Sequence, residues 1–337
     1  MNNDILKEKI KEAVKKELDE LKKQGWIDDT DKIFELFESA SNNKTKSIID
    51  CIKDCTSPVK IDENDEPETI LKKIKTIFRA FSLFKPKETK VLIMGQDPYP
   101  SIKYPNMADG LAFSQNREGK YAVESLLNIF KAIKAYQYKE NDKLIKYFCD
   151  IEQEEVPWNT NLKKWAKNNG ILLLNTALTH ENDDKDTVKL HRNTWEKFIQ
   201  QVIKKLINRK LCKKEKLAVF LWGKDAQETF LKSFCCSDEK LNSCLNFNEL
   251  QYPGIIRKND KFEFRESSFK LINKKNEIAI DNIDNIKIYM TSHPCNMSVI
   301  KGFCCNAPKH FKECDDFLGA NDDGYFIWQD IDKYLEK

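Results

Sequence analysis

Val91-Leu92-Ile93-Met94-Gly95-Gln96-Asp97-Pro98-Tyr99-Pro100 decides how the rest of the chain is read. Val91 to Met94 is a continuous apolar run, the pattern of a strand buried on both faces of a parallel sheet. At Gly95 the character changes at once, and an amide, an acid and a phenol follow within four residues. In an open α/β sheet the carboxyl end of such a strand borders the crevice where ligands bind. Gly95 permits and Pro98 stiffens a tight turn, while Asp97 is of a type that serves as general base or as counter-charge to a developing cation. A bare Gly-x-Asp-Pro also fits a plain strand-to-loop junction whose Asp caps a helix. The longer string is far more specific.

Three more runs have the same form. Ile171 to Leu174 ends at Asn175, Leu217 to Trp222 at Gly223, and Ile286 to Thr291 at Ser292-His293-Pro294. Apolar residues at helical spacing predict helices between and before them. The first covers about 4–23, with Leu6, Ile10, Ala13, Leu18 and Leu21 on one face; the second runs from a cap at Asp31 to about Ser39. Pro67 opens a third, Ser125 caps another that runs to Ala135, and Trp195 to Ile207 forms a further one. Strands alternating with helices predict a three-layer α/β/α fold around a central four-stranded parallel sheet. A helical N-terminal region, 1–70, precedes a main domain over 71–337. An insertion at about 230–285 is long enough to hold structure of its own, such as a hairpin.

Composition narrows the classes. The chain has 337 residues and a net charge of only +3, so attraction to nucleic acid must be local to one face or groove. Eleven cysteines without a repeated Cys-x-x-Cys spacing predict reduced thiols and an intracellular setting, cytoplasm or nucleus. Cys304, Cys305, His310 and Cys314 can be read as zinc ligands, but no second ligand pair stands at finger spacing and no metal is expected. No apolar stretch approaches the ~20 residues that span a bilayer. The polar N-terminus, acidic from Asp4, lacks the form of a signal peptide.

The four strand ends carry the chemistry. In a parallel sheet they share one edge, so Asp97, Asn175 and His293 are placed to face one pocket. Each alone is weak: an Asn after an apolar run is more often a turn residue, and a His beside Pro a structural hydrogen-bonder. The conjunction, in this order, carries more.

Gly95-Gln96-Asp97-Pro98-Tyr99 resembles the water-activating motif of the uracil-DNA glycosylase superfamily, and the chain is most similar to its family 1. Ala108 to Ser114, Leu172 to Thr179, Leu221 to Gln227 and His293 to Phe303 extend the likeness, in order, over about 75–135, 160–228 and 286–318. The resemblance implies a catalytic domain that flips uracil from single- or double-stranded DNA and hydrolyses its N-glycosidic bond, as a monomer without a cofactor. It assigns Asp97 and His293 to catalysis. Gln96, Tyr99, Phe113 and Asn175 fall to the base, and Ser125, Cys295, Met297, Ser298 and Lys301 to DNA, with Met297 as an apolar wedge. No lysine holds a nucleophile position, which predicts a monofunctional enzyme. Replication or repair proteins are expected partners for the N-terminal region or the insertion.

Three departures stand out. Pro100 takes the place where family 1 usually carries a His that helps hold the water. Arg117 to Val123 replaces a Pro-rich loop. Cys295, Asn296 and Met297 stand where Ser, Pro and Leu are usual. Pro100 and the long insertion motivate one alternative, the same fold excising another modified base; the other is a non-catalytic DNA-binding or replication scaffold. A scaffold would need none of Asp97, Asn175, Phe113 and His293.

Overall fold

The structure, a computed structural model, describes residues 2–39, 46–116, 122–137, 158–233, 256–258, 261–263, 285–295 and 302–335. The apolar runs form strands β1 (Val91–Gly95), β2 (Ile171–Asn175) and β3 (Leu217–Trp222). Two short strands follow, β4 (Ile256–Lys258) and β5 (Lys261–Glu263), and then β6 (Ile286–Thr291). The main sheet is parallel in the order β2-β1-β3-β6. β1, β2 and β3 are buried along their whole length, as continuous apolar runs require, whereas β6 at the edge exposes Lys287. Gly95 is level with Asn175, Met94 with Leu221, and Trp222 with Thr291, so the carboxyl ends form one rim. The chain steps from β1 to β2 on one side and to β3 on the other, and the crevice opens at that reversal. Within the expected insertion, β4 and β5 pair antiparallel as a separate ladder, and 234–255, 259–260 and 264–284 lie outside the described residues.

The helices are α1 (Asn2–Gln24), α2 (Thr30–Glu38), α3 (Ile48–Asp54), α4 (Pro67–Ile77), α5 (Arg79–Ser82), α6 (Glu124–Gln137), α7 (Lys163–Asn169), α8 (Lys185–Lys213), α9 (Lys224–Lys232), α10 (Cys304–Leu318) and α11 (Asp332–Leu335). The expected apolar stripe of α1 is buried, and Pro67 holds the first turn of α4. Three expected boundaries are corrected. Asp29, not Asp31, caps α2: its carboxylate accepts from the Asp31 and Lys32 N–H groups at 3.0 and 3.2 Å. Asp31 sits in the first turn, where the helix dipole favours an acid. Ser125 lies inside α6, which starts at Glu124. α8 begins at Lys185, well before Trp195, behind an Asp184 cap that accepts from Thr187 N–H at 3.0 Å.

One apolar core runs from Leu6 in α1 to Leu335 in α11. Phe37 of α2 lies edge-on to Trp195 and Phe198 of α8 at 5.7 and 5.1 Å. Phe311 of α10 stacks on Trp328 at 4.1 Å and lies 6.0 Å from Phe220 of β3. Among the described residues, no helix is long and apolar enough to cross a membrane.

Candidate active site

The loops leaving the rim enclose a cavity of about 140 Å³, lined by Gln96, Asp97, Pro98, Tyr99, Pro100, Leu111, Phe113, Ser125, Asn175 and His293. A cavity of roughly 150 Å³ accepts benzene in another protein, so this one has room for a single six-membered ring.

Gly95 makes the floor. A Cβ there would approach Ala112 Cβ to 2.9 Å and run into Asn175 Oδ1, so only a hydrogen lets both neighbours close in. The turn after it is fixed from β2: Thr176 N–H donates to Gly95 O at 3.1 Å, and Ala177 N–H and the Thr176 hydroxyl donate to Gln96 O at 3.0 and 2.7 Å. Asn175, in the last position of β2, is buried with its Oδ1 lacking a hydrogen-bond partner. Leaving such an acceptor dry costs ~1–3 kcal/mol, which a ligand N–H recovers.

Phe113 takes a left-handed backbone conformation, φ +65°, which a bulky residue holds only where its surroundings enforce it. Two contacts do so. The Tyr99 hydroxyl donates to Phe113 O at 2.9 Å, and buried Asp109 accepts from Leu111 N–H and the Ser114 hydroxyl at 3.0 and 2.9 Å. The Phe113 ring lies 5.4 Å from Trp222 and 6.0 Å from His293, which leaves an aromatic face at the cavity wall. Burial pushes the Tyr99 phenol far above its usual pKa, so it stays a neutral donor.

His293 follows β6. Gly223 and the Gln227 side chain both donate to Thr291 O, at 2.9 and 3.1 Å, and Asn128 of α6 donates to Pro294 O at 2.8 Å. Burial holds its imidazole below the usual pKa, against the pull of Asp225, Asp97 and Glu124. Cys295 N–H donates to His293 Nδ1 at 3.2 Å, which puts the ring proton on Nε2. His293 is thus a neutral donor at pH 7.

Asp97 has a partner that the sequence did not point to. His180 Nδ1 lies 2.6 Å from Asp97 Oδ2, and the ring is 3% exposed. Nothing in the run Leu178-Thr179-His180 marks it, because its position depends on pairing with Ser57, far away in the chain.

Of the residues expected to meet DNA, Ser125 borders the cavity, and Cys295 lies two residues beyond His293, with its backbone N–H donating to the His293 Nδ1. Met297, Ser298 and Lys301 lie outside the described residues, as do 117–121 and 138–157. Among the described residues, no three His, Cys, Asp or Glu side chains are grouped to hold a metal ion.

A family model described as the Uracil DNA glycosylase superfamily matches residues 81–319. The chain is 30% identical over 261 residues to "Uracil-DNA glycosylase" of Ureaplasma parvum, a match that covers 77% of this chain and 85% of that one. It is 38% identical over 162 residues to the protein of that name from Haemophilus influenzae, a match that covers 48% of this chain and 62% of the relative. Against that relative, less than two thirds of its length is spanned. The crystal structure of mimivirus uracil-DNA glycosylase aligns with a TM-score of 0.43 at 20% identity, over 76% of this chain and 70% of that one.

Proposed function

The chain belongs to the uracil DNA glycosylase superfamily, and on that footing we propose that it flips uracil out of DNA and hydrolyses the N-glycosidic bond to leave an abasic site. The observation that carries the reading is Asn175, which lines a ring-sized cavity together with Asp97 and His293 and whose buried Oδ1 has no hydrogen-bond partner. Uracil offers an N3–H to that acceptor and an O4 to the amide N–H₂ beside it. Cytosine presents the opposite pattern and would leave both groups unpaired. Phe113 supplies the stacking face, and Tyr99 fills the space a 5-methyl group would need.

The chemistry follows from the charges. As the C1′–N1 bond breaks, its electron pair goes to the base, and the anion developing on O2 is met by His293 Nε2–H. A neutral donor suits this, because it adds no positive charge beside the sugar cation. Asp97 faces the oxocarbenium-like sugar, and water adds to C1′ while passing a proton to the carboxylate. The reading extends to base excision repair inside the cell, with no metal or organic cofactor.

Oligonucleotides carrying uracil, thymine, cytosine or 5-hydroxymethyluracil, followed by alkaline cleavage, test it. Uracil release alone is expected, with Asp97→Asn slower by orders of magnitude and DNA binding nearly intact. Release of only the modified base would move the reading to another substrate. No release at all would favour a scaffold.

A further inference from the structure

We infer that His180 is a positioning residue for the proposed hydrolysis, binding Asp97 Oδ2 so that the other oxygen, Oδ1, is presented to the water and the sugar. This rests on the reading above and adds to it a residue that lies 83 positions from Asp97 in the chain.

An aspartate has two equivalent oxygens and a soft terminal torsion, so a free carboxylate spends much of its time turned away from the reacting atoms. A donor 2.6 Å from Oδ2 fixes the plane of the group. The donor itself is anchored to backbone. His180 N–H donates to Ser57 O at 2.9 Å, while Thr56 and Ser57 N–H groups return to His180 O at 2.9 and 3.1 Å. The Ser57 hydroxyl then donates to Tyr99 O at 2.7 Å, so one dipeptide holds both the imidazole and the loop that carries Asp97. Lys46 adds a salt bridge to Glu181 at 2.8 Å. The segment before α4 thus has a task at the pocket, although it supplies none of its lining.

Charge has to be accounted for as well. Burial pulls the His180 pKa down, but Asp97 and Asp183 outweigh burial and hold it above its usual value. An imidazolium against Asp97 alone would cancel the negative charge that the sugar cation needs. Asp183 Oδ1 lies 3.4 Å from His180 Nε2, so even with His180 protonated the trio of two carboxylates and one imidazolium keeps a net charge of −1. His180 can therefore orient Asp97 without neutralising the site.

Single-turnover uracil release from a single-stranded oligonucleotide, measured across enzyme concentration, separates positioning from binding. His180→Leu should lower the maximal rate about 10- to 100-fold, the size of one charge-assisted hydrogen bond, with half-saturation within about twofold of wild type. His180→Asn should recover most of the loss, because its amide nitrogen is attached to Cγ as Nδ1 is. In nitrogen-15-labelled protein, the far-downfield His180 ring N–H signal should disappear in Asp97→Asn. Wild-type rates in both His180 variants would overturn the inference. Equal losses in both, tracking a fall in melting temperature, would reduce His180 to a structural residue and overturn it too. A wild-type protein that releases no uracil would sink the functional reading itself, whereas an active wild type indifferent to His180 sinks only this one.

Discussion

Gly95 is the residue on which the pocket turns. Its missing side chain lets Asn175 and Phe113 meet over the end of β1, and a Cβ would lie 3.4 Å from Phe113 Cε2 as well as against Asn175. Gly95→Ala must therefore push the reading amide out of place. Uracil release should fall at least about tenfold, with a stability loss of ~1–3 kcal/mol from overpacking; rate assays and denaturant titration check both. An unchanged rate would show that the amide has room to spare. Asp97, Asn175 and His293 were legible in sequence because each ends a buried apolar run, and Phe113 because it sits in a recognisable loop. His180 was not, since its contact to Asp97 depends on Ser57 pairing with it across the fold.

Elements were legible where one face is purely apolar and less so where polar groups are buried. The first turns of α8 bury His191 and Thr194, which breaks the stripe and hides the helix start at Lys185. α10 shows the energetic side of such burial. His310 is half-buried with its Nδ1 cut off from any partner, and burial pushes its pKa down to about 4. The unfolded chain, with a pKa near ~6.5, takes up that proton first, so stability falls as pH drops from about 6.5 towards 4, by up to ~3 kcal/mol. Asp315, on the same helix, opposes this. Burial raises its pKa to about 6, so its contribution is present at low pH and is lost as pH rises through that value. The difference between wild type and His310→Leu isolates the histidine. Between pH 7.5 and 4.5 the variant should lose about 2–3 kcal/mol less stability than wild type in urea denaturation. Parallel losses would show that His310 does not titrate differently in the fold.

Over the whole molecule, alternating strands and helices were enough to give the parallel sheet, but not how the N-terminal helices join it. Packing runs across residue 70: Phe37 stacks on Phe78 at 6.1 Å, and the Trp26 indole N–H donates to Phe81 O at 2.8 Å. The expected division at residue 70 falls inside α4, because apolar stripes do not state their partners. Phe37→Ala should cost ~3–5 kcal/mol and shift a single unfolding transition seen alike by circular dichroism and tryptophan fluorescence. Two separate transitions, with only one displaced, would mean that the N-terminal helices fold on their own. The central claim is that the cavity at the strand ends reads uracil through Asn175, and the base preference of Asn175→Asp tests it most directly. The substitution exchanges an amide nitrogen for an oxygen and leaves shape and packing alone. Uracil release should drop steeply while slow cytosine release appears, because a carboxyl group can accept from the cytosine amino group and, when protonated, donate to N3. A folded variant that keeps the wild-type rate and preference for uracil would contradict the account.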